Sequence, residues 1–280
     1  MRNPLPFITN HPLNAGRPVS AILRFAAWQA SSRIFGERTV RWIDGARLVV
    51  RNGMTGATGN IYCGLHEFAD MGFVLHALRP ADRFLDVGAN VGSYTVLASA
   101  VCGARTLAFE PDPGAAAALR RNVAVNGIEA RVAVHETAVG EAAGWVWFTV
   151  GRDTTNQVAA DGSNGARRAP TIDLDSVPDA VGAAVVKLDV EGYEASALAG
   201  AGNVLADPAL LAVLSECQDR PVTDILARHG FERAFYDPFT RTLSDAPLHQ
   251  RDGSLFVRDA AALRERLAQA PKRKVLGRWL

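Results

Sequence analysis

The chain has 280 residues, 48% hydrophobic and 21% charged, with 30 basic side chains against 29 acidic ones. A chain of this size buries its own core without disulfides or metal, and its near-zero balance argues against a dedicated nucleic-acid binder, which needs a basic footprint to displace counterions. Three scattered cysteines, Cys63, Cys102 and Cys217, form no Cys-x-x-Cys pair, which disfavours a zinc or disulfide framework and fits a reducing, cytoplasmic setting.

The first 18 residues carry Pro4, Pro6 and Pro12 and read as irregular chain rather than a signal peptide. No uninterrupted apolar run of about 18 residues predicts a membrane span. A helix with mixed faces follows over 19–35, then short strand pieces within 40–62, with Gly53, Gly56 and Gly59 read as loop. Residues 1–60 thus form an N-terminal extension to a main domain over 61–262, which opens with a helix over 66–78. From residue 83 strands and helices alternate: strand 83–87, helix 92–101, strand 105–110, helix 113–125 stopped by Asn126-Gly127, and strand 130–134. Later come strand 184–189, helix 193–201, strand 210–216 and helix 223–229. This alternation means βαβ units and a doubly wound, mostly parallel α/β sheet of Rossmann-like type. Two late strands, 233–236 and 254–258, close it as an antiparallel pair.

Residues 141–178 interrupt the alternation. Trp145-Val-Trp-Phe-Thr-Val150 alternates like a strand, a polar loop follows, and Thr171-Ile-Asp-Leu-Asp175 pairs back; this is read as an inserted β-hairpin, with its aromatic side chains more often core than sugar-stacking surface. The last residues, 263–280, read as a basic tail. Lys272-Arg-Lys274 with Leu276, Trp279 and Leu280 suits a solvated segment, with weak association to a membrane surface as the alternative.

Three motifs carry chemistry. Asp86-Val-Gly88-Ala-Asn90-Val-Gly92 joins a strand to a helix, where glycines permit a tight turn and close approach to a ligand. A dinucleotide fingerprint would have glycine at Asn90. The acid Asp86 ahead of the first glycine disfavours a diphosphate and suits the ammonium of an amino-acid moiety, such as that of S-adenosylmethionine. Glu110, 24 positions after Asp86 at the end of the next strand, is placed to accept both ribose hydroxyls; the plainer reading makes Asp86 and Glu110 helix caps. Val185-Val-Lys187-Leu-Asp189-Val-Glu191 puts Lys187 and Asp189 on one face of a strand. A lysine in an apolar strand needs a partner, and Asp189 is the nearest. His66 and His135 read as packing histidines before bases. Glu216, ending a strand, either positions a substrate or caps a turn.

With these motifs in hand, the stretch from Tyr62 to Val257, about 70% of the chain, resembles the FkbM-type methyltransferases, a branch of the class I S-adenosylmethionine-dependent enzymes. The matching pieces are Leu65-His-Glu67, the run 84–95, Ala108-Phe-Glu-Pro111, Asn122 and Asn126, Glu136-Thr-Ala-Val-Gly140, the run 186–193 with Leu198-Ala-Gly200-Ala, and Ser254-Leu-Phe-Val257. The resemblance implies a seven-stranded class I sheet, S-adenosylmethionine as cofactor, and O-methylation of a small molecule or glycan hydroxyl. It also implies cofactor contacts from Glu67, Asp86, Gly88, Asn90, Gly92, Glu110, Pro111, Thr137 and Ala138. On the chemistry of methyl transfer to an alcohol, Asp189 or Glu191 is the candidate proton acceptor, tuned by Lys187; no residue set is assigned to a metal. Amino-group methylation, a nicotinamide oxidoreductase and a catalytically silent cofactor-binding module of a glycan-biosynthesis system are the competing readings.

Overall fold

The computed structural model describes residues 3–149, 158–159, 166–247 and 255–280. Helices α1 (Leu5–Asn10) and α2 (Pro18–Phe35), the hairpin β1 (Arg38–Arg41) and β2 (Arg47–Val50), and helices α3 (Thr55–Cys63) and α4 (Phe68–Ala77) lead into the sheet. The sheet opens with β3 (Arg83–Val87), α5 (Ser93–Val96) running on as a π-helical turn over Leu97–Val101, β4 (Arg105–Phe109), α6 (Pro113–Asn126) and β5 (Val132–His135). A side sheet follows, built from β6 (Ala138–Val139), β7 (Gly144–Phe148), β8 (Val158–Ala159) and β9 (Arg167–Ile172). The chain returns with β10 (Val185–Leu188), α7 (Glu194–Ala199), α8 (Gly202–Ala206), β11 (Ala212–Ser215), α9 (Arg220–Arg228), β12 (Glu232–Asp237), β13 (Thr242–Ser244) and β14 (Leu255–Val257). It ends in α10 (Ala260–Ala268) and the short hairpin β15 (Lys274–Val275) and β16 (Arg278–Trp279).

The main sheet has eight strands in the order β13-β12-β14-β11-β10-β3-β4-β5. Its five central and edge strands from β11 to β5 are parallel, and β14, β12 and β13 add antiparallel pairs. Strands β3, β10 and β11 are buried on both faces, as helix-covered parallel strands must be. The expectation of seven strands misses β13, a three-residue strand that turns back on β12 through Arg241 in the left-handed region and is too short to leave an alternation pattern. Helix α6 follows its sequence signals closely: Pro113 opens it, Asp112 caps it by accepting from the Ala115 amide at 2.8 Å, and Gly127 closes it with φ 63°.

The inserted hairpin is present as the antiparallel pair β7–β9, but it joins β6 and β8 in a separate four-stranded sheet. Most of its polar loop lies outside the described residues. Trp145 and Trp147 face outward and only Phe148 is buried, so the aromatic run is not hairpin core: the pleat sends positions 145 and 147 to one side and Phe148 to the other. Gly56 and Gly59 are helical rather than loop. A Cβ at Gly59 would stand 2.1 Å from His66 Nδ1, so glycine is needed there for close crossing of the chain.

The N-terminal extension docks by hydrogen bonds that its own sequence does not announce. Asn122 on α6 accepts from the Val49 amide at 2.6 Å and donates to the Val91 carbonyl at 2.8 Å, while Asn126 accepts from the amide and donates to the carbonyl of Arg47, each at 2.8 Å. Ile8, Leu13, Trp28 and Leu48 share one buried cluster with Phe73, Phe84, Leu263, Val275 and Leu280. The last residues are therefore not a solvated tail. They form a helix and hairpin that bury Leu263, Leu267, Val275 and Leu280 and pair Arg273 with Asp44. No helix among the described residues is long and apolar enough to cross a membrane.

Candidate active site

From β3 the chain winds outward through β4 to β5, then returns to place β10 on the other side of β3. Strand order reverses between β3 and β10, and a crevice opens there beyond the strands' carboxyl ends. Register decides what lies in it. Lys187 of β10 is the direct parallel partner of Asp86 of β3, and Asp189 projects from the same face as Lys187 two residues on. Lys187 Nζ donates to Asp189 Oδ2 at 3.0 Å and to the Gly88 carbonyl at 3.2 Å, lies 3.8 Å from Asp86 Oδ1, and sits 5.0 Å above the Tyr94 ring. Burial pushes the Lys187 pKa down, but Asp189, Asp86 and Glu67 outweigh it and hold the ammonium charged well above its ordinary range.

Asp86 is completely buried beneath this lysine, accepting from the Thr95 hydroxyl at 2.6 Å. It forms the floor of the crevice rather than its wall. Burial raises its pKa against the opposing pull of Lys187 and Thr95. Neither Asp86 nor Glu110 caps a helix. Glu110 Oε2 accepts from the Asn90 amide and Oε1 from the Asp112 amide, both at 2.8 Å, so one carboxylate ties together the loops that follow β3 and β4. Each of its oxygens keeps a further acceptor direction.

The crevice has two lobes that share Gly88, Asn90 and Asp189. One, of about 610 Å³, is lined by Glu110, Pro111, Thr137, Ala138, Phe148, Glu191 and Tyr193 among others; the second, of about 490 Å³, is lined by Met54, His66, Glu67, Ser93, Tyr94 and Lys187 among others. Glu67 Oε2 accepts from the Tyr94 hydroxyl at 2.5 Å, and burial, with Glu67 and Asp70 adding to it, keeps that phenol neutral.

A model of the methyltransferase FkbM domain matches residues 86–237, more than half of the chain, and spans both lobes' strand ends. The chain belongs to the FkbM methyltransferase family. Membership brings the S-adenosylmethionine-dependent class of transferase with it. Among solved structures, an FkbM methyltransferase from Methylobacillus flagellatus KT matches 85% of this chain at 17% identity with a TM-score of 0.46. This chain spans 60% of that relative's length. An RNA methyltransferase from Salinibacter ruber, in complex with S-adenosyl-L-homocysteine, matches 67% of this chain and 86% of its own at 17% identity, with a TM-score of 0.37. A search of curated proteins finds no match.

The FkbM crevice fits the family's cofactor on an observation of its own. Two buried hydroxyl oxygens on residues that line its lobes, Ser93 Oγ and Thr137 Oγ1, lack a hydrogen-bond partner among the described residues. Buried polar groups in folded proteins mostly find a partner, so these two, one in each lobe, mark where a polar ligand would bond. The Glu110–Pro111–Thr137–Ala138 lobe suits a nucleoside, with a carboxylate at one end and apolar walls. The Glu67–Ser93–Tyr94 lobe suits an amino-acid group. Burial pushes Glu110 up to about 7, against the pull of its two amide bonds. Ribose hydroxyls donate best to the ionised form, so affinity for S-adenosylhomocysteine is expected to rise between about pH 6 and pH 8. Glu110→Gln should flatten that rise in calorimetry. Without ligand the same group works the other way: its folded pKa exceeds the unfolded value, so its contribution to stability falls as pH rises toward about 7.

Two predicted contacts have other roles. Gly92 does not line either lobe; a Cβ there would stand 2.3 Å from Leu119 Cδ1, so it is a packing glycine at the start of α5. Gly88 lines both lobes, yet what fixes it is the protein: φ is +75° and a Cβ would stand 1.9 Å from the Asp189 carbonyl oxygen. Gly88→Ala is expected to lower the unfolding free energy by at least about 1–2 kcal/mol from the left-handed backbone alone. It should also push Asp189 off its lysine, which denaturant titration and turnover measured together will register.

Tyr94, Thr95, Ser93 and His66 escape a reading based on acids and glycines. The first three form the first helical turn directly after the glycine loop: Ser93 and Tyr94 line the second lobe and Thr95 donates to Asp86 beneath it; that position was the signal. Glu191, at φ 45° and followed by Gly192 at φ 90°, projects from a strained turn and does not cap α7. Burial, Asp189 and Glu194 raise its pKa. Glu216 reaches solvent at the end of β11, and burial, Asp189 and Glu67 push its pKa up to about 7; it lines neither lobe.

Proposed function

We propose that this FkbM-family protein methylates a hydroxyl oxygen of a small molecule or glycan, with Asp189 as the proton acceptor. The observation that carries this is Asp189 itself, common to both lobes and pinned through Oδ2 by Lys187, which leaves Oδ1 to face an acceptor. When bound, S-adenosylmethionine supplies an electrophilic methyl group on a sulfonium. Glu110, Thr137 and Ala138 would hold its nucleoside end, and Glu67, Ser93 and Asn90 its amino-acid end. Lys187 fixes the Asp189 carboxylate and balances the carboxylates around it. Asp189 Oδ1 takes the hydroxyl proton as the oxygen becomes a nucleophile, and Glu191 orients the acceptor from the rim. Holding the acceptor oxygen in line is worth on the order of 7–11 kcal/mol, and removal of its proton about 10²–10⁴-fold in rate.

Radiolabelled methyl transfer from S-adenosylmethionine, screened across glycans, polyketide-like alcohols and amines, tests the reading. Methylated oxygen in a sugar or alcohol product supports it, and label found only on nitrogen or RNA rejects it.

A further inference from the structure

Helix α2 packs against the protein along one side and leaves an apolar face bare on the other. Its inward face buries Ala21, Trp28 and Ser32, sets Phe25 edge-on against Tyr62 at 5.3 Å, and ties Arg24 to Asn14 and the Tyr62 carbonyl. The opposite face carries Val19, Ile22, Leu23, Ala26, Ala27, Ala30 and Ile34, all exposed, with Arg33 the one charged side chain among them. At 100° per residue these seven fall within an arc of about 140°. The exposure is large where it counts: Val19 68%, Leu23 63%, Ile34 73%, and the terminal Phe35 67%. An exposed apolar face of this extent marks a contact site.

The surrounding charge says what kind of contact. Residues 1–36 contain four arginines and no aspartate or glutamate, and residues 271–280 contain Lys272, Arg273, Lys274 and Arg278, again with neither acid; Arg24 is tied inward and Arg273 is paired with Asp44, which leaves the others to set the surface charge. These two segments meet: Arg278 donates to the Ala15 carbonyl, and the Arg17 guanidinium lies beside Gly277, just ahead of α2. Trp279, 63% exposed, stands on the same hairpin with Lys274 5.8 Å from its ring centroid. An apolar helix face bordered by arginines and an exposed tryptophan is the composition that settles in the headgroup region of an anionic bilayer. A second copy of the chain would bring cations against cations, so self-association through this face is disfavoured.

We propose that α2, with the β15–β16 hairpin beside its start, seats the protein on an anionic membrane surface. The helix lies in the interface plane and does not span the bilayer. The crevice and its chemistry do not depend on this contact. Co-sedimentation of the full chain with phosphatidylcholine vesicles, with and without phosphatidylglycerol, tests it. Binding is expected only to the anionic vesicles and should fall at high salt. Leu23→Ser with Ile34→Ser should weaken it at least about tenfold, and Arg17→Gln with Lys274→Gln should reduce it further. The substituted side chains are exposed, so the unfolding midpoint and the affinity for S-adenosylhomocysteine should stay at wild-type values and report intact folding. No binding to anionic vesicles, equal binding to neutral ones, or undiminished binding by the serine variant overturns the proposal. So does a dimer in light scattering that the serine substitutions dissociate while vesicles go unbound.

Discussion

Asp189→Asn is expected to lower turnover by about 10²–10⁴-fold while S-adenosylhomocysteine affinity stays within about tenfold of wild type. The substitution keeps shape and a hydrogen-bonding oxygen toward Lys187 but removes the proton acceptor. The fold should tolerate it: Asp189 is partly exposed, and Lys187 retains Asp86 at 3.8 Å and the Gly88 carbonyl at 3.2 Å. Cofactor contacts assigned to Glu110, Thr137 and Ser93 are untouched. The effect therefore belongs in kcat, and a fall in affinity matching the fall in turnover would move Asp189 from chemistry to binding. Glu191→Gln is the internal comparison. Glu191 is held by no lysine, and its raised pKa leaves it a weaker candidate in geometry though not in basicity; if it, rather than Asp189, stops turnover, the two roles exchange.

What the sequence makes legible is whatever a strand period or a helix stop writes into consecutive residues. Strands β3, β4, β10 and β11 show as short apolar runs, and α6 shows through Pro113, Asp112 and Gly127. The pairing of Lys187 with Asp189 follows from the two-residue period alone. The pairing of Lys187 with Asp86 does not, because it depends on the register of two strands some hundred positions apart, and no local pattern encodes register. For the same reason Asp86 is read as a ligand contact although the fold buries it as the floor. The Glu110 clamp on the Asn90 amide is likewise a meeting of two loops. The helix over Gly56 and Gly59 defeats propensity, which assigns such glycines to loops; tertiary packing against His66 overrides it. The C-terminal residues look like a basic tail because Leu263, Leu267, Val275 and Leu280 are too sparse to show that they complete a core shared with the N-terminus.

Lys187→Met should cost more stability than any other single substitution near the crevice, about 3–5 kcal/mol. The side chain is nearly buried and its cation is shared by three oxygens, on Asp86, Asp189 and the Gly88 carbonyl. Methionine fills the volume and removes every one of those contacts, so the loss is electrostatic rather than a cavity. Asp86 is then a buried carboxyl with Thr95 as its remaining partner, and burial, already raising its pKa, acts without opposition from the lysine. In the variant the folded state should hold a proton on Asp86 that the unfolded state releases, so its stability should fall as pH rises from the acid range through neutrality. In wild type the lysine's contribution has the same sign but another window: its pKa is raised on folding, so that contribution is full at neutral pH and is lost on the alkaline side of the lysine range. Asp86, raised by burial against the pull of Lys187, adds its own fall at lower pH. The second substitution separates charge from shape: Asp86→Asn added to Lys187→Met removes the stranded carboxyl and should recover much of the lost stability, because a buried pair replaced on both sides leaves no uncompensated charge. Denaturant unfolding of the single and double variants across pH measures this directly. A loss below about 1 kcal/mol in the single variant, or no recovery in the double, would mean that Lys187 contributes chiefly to chemistry at Asp189 and not to the cohesion of β3 with β10.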